Sequence, residues 1–318
     1  MRPIPPANAP CSFKPNIRTM PKNARKREKI MKNHPSIFMR FPLMVDILPI
    51  WWRIIRELTR EWRRDMKIYE RKVKSVLTKS KVSEYTLNPY VGCFHGCSYC
   101  YATFIRKFRN IEEKWGDFVE VKINAPEVLR KEIVRKKPKR VFLSTVCDPY
   151  QPIEAVYRIT RKCLEVFLEF PFLDIEVSIL TKSTLILRDI DVFKKMKSLE
   201  LGVTVTTDKE EIRKIFEPRA PSIEKRLEVL KILKENGLRT YAFVGPMLPM
   251  DPENLARRLY RIVDYVLIDR MNYIWKVRKL YEKSGLEYAL SDEFFLETKD
   301  KLLRYLSELG VRSRYVET

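Results

Sequence analysis

From Glu84 onward the chain alternates between short runs rich in Val and Ile and longer runs with helical periodicity. The strand-like runs are 85–87, 118–123, 140–146, 175–180, 200–206, 239–244 and 265–268. Helix-like runs lie between them at about 126–136, 155–169, 189–197, 222–235 and 252–262. Strands that are short and apolar throughout suit a sheet covered on both faces. Alternating β and α elements imply parallel strands joined by right-handed crossovers. The number of units predicts an α/β fold with a partial (β/α)6-type barrel rather than a full eight-fold one. Chemistry in such barrels sits at the C-terminal ends of the strands. The candidate site therefore comprises the segments that begin near Cys93, Val146, Thr181, Thr206, Gly245 and Asp269.

Three regions follow from the composition. Residues 1–65 read as a basic extension, Pro-rich and then helical. Residues 66–290 form the barrel, and 291–318 a C-terminal helix and tail packed on it. Trp51, Ile55, Leu58, Trp62, Met66, Tyr69 and Val73 recur at spacings of three and four, which predicts an amphipathic helix. The net charge is +22; residues 1–82 carry 21 Lys and Arg against 6 acidic residues, so about +15 belongs to that quarter. Such a region is a candidate contact for a polyanion, either nucleic acid or an anionic lipid surface. Abundant Lys and Glu with a single glutamine, Gln151, is a thermophile-like composition. No secretory signal is expected. Arg40, Pro42, Asp46, Pro49 and Arg53 interrupt the one partly apolar stretch well short of the roughly 20 residues a membrane span needs, so no transmembrane segment is expected.

Cysteine usage narrows the chemistry. Three of the six cysteines, Cys93, Cys97 and Cys100, crowd into eight positions with the spacing C-x3-C-x2-C. That pattern suits a metal rather than a disulfide framework, and a reducing, cytoplasmic compartment. Thiolates are the soft ligands of iron–sulfur clusters. Three of them can hold three irons of a cubane and leave the fourth open. Gly92 and Gly96 allow a loop to fold closely around such a group. A structural zinc site wants four protein ligands, and His95 is the available fourth; a nucleic-acid-binding protein with a structural metal is therefore the rival class.

The string NPYVGCFHGCSYCYA at 88–102, with Tyr99 before the last cysteine, resembles the radical S-adenosylmethionine superfamily. Within it, the string resembles the subfamily around spore photoproduct lyase, the DNA repair photolyase-like proteins. The likeness continues through Asp148-Pro-Tyr-Gln-Pro-Ile-Glu154, Thr181-Lys-Ser183 with Arg188-Asp189, Glu217-Pro218, Arg226, Pro246 and Pro249, over about residues 66–272. The resemblance implies that Cys93, Cys97 and Cys100 bind a 4Fe–4S cluster whose open iron takes S-adenosylmethionine. One electron, from a donor such as a ferredoxin or flavodoxin, then cleaves the sulfonium to a 5′-deoxyadenosyl radical that abstracts hydrogen from substrate. It implies a lyase or transferase acting on nucleic acid in repair or modification; protein or metabolite substrates are the alternative. Cofactor contacts are expected from Lys182 to the methionyl carboxylate, from Tyr99 beside the adenine, from Thr204 and Arg226, and from Asp148 and Gln151 to ribose or substrate. Cys147 is the candidate hydrogen donor. It departs from the lyase pattern, in which the cysteine precedes the aspartate by three positions; Thr145 stands there in this chain.

Overall fold

A computed structural model describes residues 66–316. The expected N-terminal extension over 1–65 and most of the amphipathic run that begins at Trp51 lie outside the described residues. The end of that run lies inside them and is not helical. Lys67–Arg71 is a strand, β1. Few residues at helical spacing remain there, and a non-local partner overrides them. β1 lies parallel to β5 (Phe118–Lys122), with Lys67 opposite Phe118 and Arg71 opposite Lys122. Its exposed side chains are tied down by Lys67 to Glu113 at 2.6 Å and Arg71 to Glu120 at 2.9 Å.

The remaining strands are β2 (Leu77–Lys79), β3 (Tyr85–Leu87), β4 (Tyr90–Val91), β6 (Arg140–Leu143), β7 (Glu176–Thr181), β8 (Leu199–Thr204), β9 (Thr240–Val244), β10 (Tyr265–Ile268) and β11 (Arg312–Tyr315). The main sheet has the order β11-β10-β9-β8-β7-β6-β3-β2. Every neighbouring pair is parallel except β2 with β3. The sheet curves as a partial barrel and does not close. β5, which the sequence pattern placed in the barrel series, belongs to a separate sheet of order β1-β5-β4. The reason is register: Tyr85 of β3 pairs directly with Val141 of β6, leaving no slot between them.

The helices among the described residues are α1 (Ile105–Arg109), α2 (Ala125–Lys136), α3 (Glu154–Tyr157), α4 (Ile159–Leu168), α5 (Ile190–Phe193), α6 (Glu210–Phe216), α7 (Ile223–Glu235), α8 (Pro252–Leu259), α9 (Ile274–Lys283) and α10 (Asp292–Glu308). The single helix expected over 155–169 is broken at Arg158, which adopts a left-handed φ of 55°. The cause is Glu154, whose carboxylate accepts the amides of Thr160 at 2.9 Å and Arg161 at 3.2 Å and so caps α4 from inside the fold. The helix expected over 189–197 shortens at its C-terminal end to α5, because the amides of Lys195 and Met196 turn back to the carbonyls of Val192 and Phe193 instead of continuing the helix. None of the described helices is long and apolar enough to cross a membrane.

The core lies between sheet and helices. Leu87, Val141, Leu143, Ile179, Leu201, Val203, Ala242, Val244, Val266 and Ile268 are all buried. Each fully buried aliphatic side chain contributes about 1.5–3 kcal/mol relative to exposure. α10 packs on α8 through Leu302 and Leu306, and β11 then adds to the sheet edge beside β10.

The far edge is held by one carboxylate. Glu132 on α2 accepts the Ser75 hydroxyl at 2.7 Å and the amides of Val76 at 2.9 Å and Leu77 at 2.8 Å, and pairs with Lys136 at 2.7 Å. Burial works against its charge, but the amides of Leu77 and Val76, Lys136 and Ser75 outweigh burial and lower its pKa to about 2. The folded pKa lies below the ordinary value, so this stabilisation is complete above about pH 4.5 and is lost as pH falls toward 2. Glu132→Ala should therefore cost about 2–3 kcal/mol by denaturant titration at pH 7. The gap from the parent protein should narrow at pH 3.

Candidate active site

The loop between β4 and α1 carries the three cysteines and follows the C-terminal end of β3, on the face where the ends of β6, β7, β8 and β9 also open. Two glycines shape it. Gly92 has φ 84°, and a Cβ there would meet the Phe118 carbonyl oxygen at 2.6 Å. Gly96 has φ 58°, and its amide donates to the Cys93 carbonyl at 3.3 Å. The Cys100 amide donates to the Cys97 carbonyl at 3.1 Å. Successive tight turns thus bring the three thiols to one side of the protein.

The loop is gripped from several directions. Gln151, fully buried, uses both halves of its amide on it: Nε2 donates to the Gly92 carbonyl at 3.1 Å and Oε1 accepts the Phe94 amide at 2.9 Å. The rarity of glutamine singled this residue out, and its geometry is that of a clamp on the cysteine loop. Asn88 Oδ1 accepts the amides of Thr145 at 3.0 Å and Val146 at 3.1 Å, joining the start of the loop to the segment after β6. Ser98 donates its amide at 2.9 Å and its hydroxyl at 3.2 Å to the Phe216 carbonyl on α6. Lys276 on α9 reaches the far end, where Nζ donates to the carbonyls of Cys100 at 3.1 Å and Tyr101 at 3.4 Å and to the Thr103 hydroxyl at 2.8 Å. Nothing in the sequence pattern pointed to Lys276, which lies 176 residues from Cys100.

Behind the loop sits a buried ionic group centred on Glu217. The Tyr99 hydroxyl and Arg226 Nη2 both donate to its carboxylate, and the Thr206 hydroxyl adds a bond at 3.2 Å. Arg226 is fully buried; Nε donates to the Pro221 carbonyl at 2.9 Å and Nη1 to the Thr204 carbonyl at 3.1 Å. Tyr99 and Arg226, which the sequence reading assigned to cofactor contact, thus have their polar groups directed into this network. Burial opposes the charge on Glu217, but Arg226 and Lys182 outweigh it and hold the carboxyl below its ordinary range.

Lys182 follows β7 and stands apart from that saturation. Its Nζ is 3.9 Å from Glu217 and 5.8 Å from the Tyr99 ring centroid. No hydrogen bond to that ammonium is formed among the described residues. Asp148, by contrast, is fully engaged: it accepts the Thr181 hydroxyl at 2.6 Å and the amides of Tyr150 at 2.9 Å and Lys182 at 2.8 Å, with His95 Nε2 at 3.2 Å. Burial disfavours its charge, yet His95, Thr181 and the Lys182 amide prevail and bring its pKa down to about 2. His95 is at ion-pair distance from Asp148 without hydrogen-bond alignment, and it faces this carboxylate instead of completing a ligand set with the cysteines.

The cysteines themselves are free thiols. Burial raises all three, with Cys97 pushed up to about 12 even though Lys182 opposes the rise. Among the described residues no three His, Cys, Asp or Glu side chains converge tightly enough for a single metal ion. Three soft thiols on a glycine-turned loop are the ligand type that iron–sulfur clusters use. Cys147 is half-buried after β6, 3.5 Å from the Ser144 hydroxyl, and burial raises it to about 11; Cys163 is buried on α4.

Comparison with known proteins gives the family. The family model described as the radical SAM superfamily matches residues 87–260. An uncharacterised protein of Methanocaldococcus jannaschii is 40% identical over 249 residues, covering 77% of this chain and 92% of that relative. A radical SAM Nalpha-GlyT isomerase of Pseudomonas phage M6 is 25% identical over 213 residues, 63% of this chain and 43% of that relative. In fold, the chain is similar to a spore photoproduct lyase double mutant solved with bound AdoMet and dinucleoside spore photoproduct, at TM-score 0.61 and 15% identity, covering 82% of this chain and 85% of that one. The chain belongs to the radical SAM superfamily, and it is a radical SAM enzyme.

The Glu217 network makes a direct prediction. Glu217→Ala leaves the fully buried Arg226 without its counter-charge and should cost about 3–5 kcal/mol in chemical denaturation. Thr206→Val, which removes a single neutral donor, should cost about 1 kcal/mol.

Proposed function

We propose that Cys93, Cys97 and Cys100 hold a 4Fe–4S cluster, that S-adenosylmethionine binds beside it, and that the substrate is nucleic acid. Bound together, the two cofactors supply reductive cleavage of a sulfonium carbon–sulfur bond, and with it a 5′-deoxyadenosyl radical able to take hydrogen from the substrate. The protein's own part is to bind, orient and exclude water. The observation that carries the reading is the three-thiol loop at the C-terminal ends of the strands, with the Lys182 ammonium held only by a 3.9 Å pairing with Glu217.

In this reading Lys182 takes the methionyl carboxylate as a charge-assisted pair. Asp148 sets the backbone of Lys182 through its amide, and Gln151 holds the cysteine loop; both are positioning residues. Tyr99 and Arg226 support the loop from behind through Glu217. Thr204, tied to Arg226 through its carbonyl, keeps its hydroxyl for the cofactor. Cys147 remains a protonated thiol near neutral pH, the form a hydrogen-atom donor needs, and enters the proposal in that role. A one-electron donor of ferredoxin or flavodoxin type completes the partners. The nucleic-acid half is supported by the net charge of +22 and by the dinucleoside bound to the structural neighbour.

Anaerobic reconstitution should load about four irons per chain, and dithionite should then release 5′-deoxyadenosine, measured by liquid chromatography. Loaded protein that makes none would sink the proposal. Replacing any of the three cysteines with Ala should abolish both loading and product. Lys182→Met should keep its iron and bind S-adenosylmethionine about tenfold more weakly by calorimetry.

A further inference from the structure

The loop does not end at Cys100 but runs directly into an exposed aromatic surface. Tyr101 and Phe104 have ring centroids 6.3 Å apart at an interplanar angle of 28°, and Tyr101 and Tyr273 are 6.2 Å apart at 18°. Phe108 meets Phe104 edge-on at 5.9 Å. Lys276 joins Trp275 to the group, its Nζ 5.3 Å from the Tyr273 ring and 5.6 Å from that of Trp275. Phe108 is 81% exposed and Trp275 73%, with Phe104 at 46% and Tyr273 at 41%. Five large rings gathered on one surface are not needed for the core, and a soluble chain rarely leaves such a group open without a use.

Charge selects the occupant. Segments 101–114 and 273–283, which carry the rings, hold eight Lys and Arg against three Glu. Exposed rings, of which Tyr101, Phe104 and Tyr273 are near-parallel, interleaved with cations match a ligand built of flat bases on an anionic backbone. The same Lys276 that touches Tyr273 and Trp275 is bonded to the Cys100 and Tyr101 carbonyls, so the platform is rigidly registered to the last cysteine.

We propose that Tyr101, Phe104, Phe108, Tyr273 and Trp275 form a base-stacking platform that seats an unpaired stretch of nucleic acid beside the cysteine loop. This rests on the nucleic-acid half of the proposed function. It deepens that reading by naming single-stranded or locally opened strands as the form bound.

The test is fluorescence anisotropy of the full-length, cluster-loaded protein with a fluorescein-labelled, mixed-sequence DNA 12-mer, alongside a salt series. Phe108→Ala and Trp275→Ala remove highly exposed rings, so the fold is retained. Each should raise Kd about fivefold or more while leaving the salt slope unchanged, because stacking and not phosphate contact is lost. Phe108→Tyr should restore binding to within about twofold. Alanine variants that bind like the parent overturn the platform alone. A parent protein that binds no oligonucleotide overturns both the platform and the nucleic-acid reading. So does one that binds only phosphatidylglycerol-containing vesicles. The release of 5′-deoxyadenosine from the same preparation reports separately on the radical chemistry.

Discussion

A carboxylate with no access to solvent organises the catalytic face. Glu217 is charged, fully buried, and bonded at once to the cysteine loop through Tyr99, to α7 through Arg226 and to the end of β8 through Thr206. A buried ion is tolerated only when its lone pairs are satisfied and its charge is matched. Here the counter-ion is itself buried, and its remaining donors are absorbed by the carbonyls of Thr204 and Pro221. The arrangement leaves little freedom. Moving Tyr99 strands the carboxylate, and moving α7 strands the guanidinium. The loop that carries the thiols is therefore fixed by an electrostatic requirement in the body of the protein as well as by its own turns.

The loop has further anchors of a different kind. Gln151 holds its backbone, Asn88 ties its start to the segment after β6 and Ser98 ties it to α6, all by neutral hydrogen bonds, and Lys276 holds its end with a charge. These contacts come from segments after β6, from α6 and from α9, so the geometry of the thiols depends on much of the barrel being folded. Partners beyond the first ring of ligands are what orient ligands and tune a bound metal. Within this crowded setting Lys182 keeps an ammonium with only a long contact to Glu217.

Much of the barrel was legible because its signals are local. β3 and β10 match their expected spans, and β6 to β9 fall within a few residues of theirs, since apolar runs and turn residues are read within one segment. The misplacements share one cause. β1 was read as the end of a helix and β5 as a barrel strand because their partners are each other and β4, a pairing that spans about fifty residues and leaves no local trace. The break at Arg158 came from a carboxylate capping the next helix from within the fold. Among site residues, the cysteines were legible from spacing and Gln151 from its rarity. Its role as a clamp was not legible, because hydrogen-bond partners are set by three-dimensional approach.

The sequence by itself carried the signs of the chemistry: thiol spacing, glycine placement and β/α alternation are covalent or short-range properties, and the strings that hold them resemble the radical SAM superfamily, to which the family match over residues 87–260 assigns the chain. Tertiary structure alone decided which polar groups are already consumed and which remain available. Tyr99, Arg226 and Gln151 are occupied by buried partners, whereas the Lys182 ammonium has only its 3.9 Å pairing with Glu217 and the rings of Phe104, Phe108, Tyr273 and Trp275 stand exposed. Desolvation forces that division, since a polar group inside the fold must find a partner in the protein and one at the mouth is free to find it in a ligand.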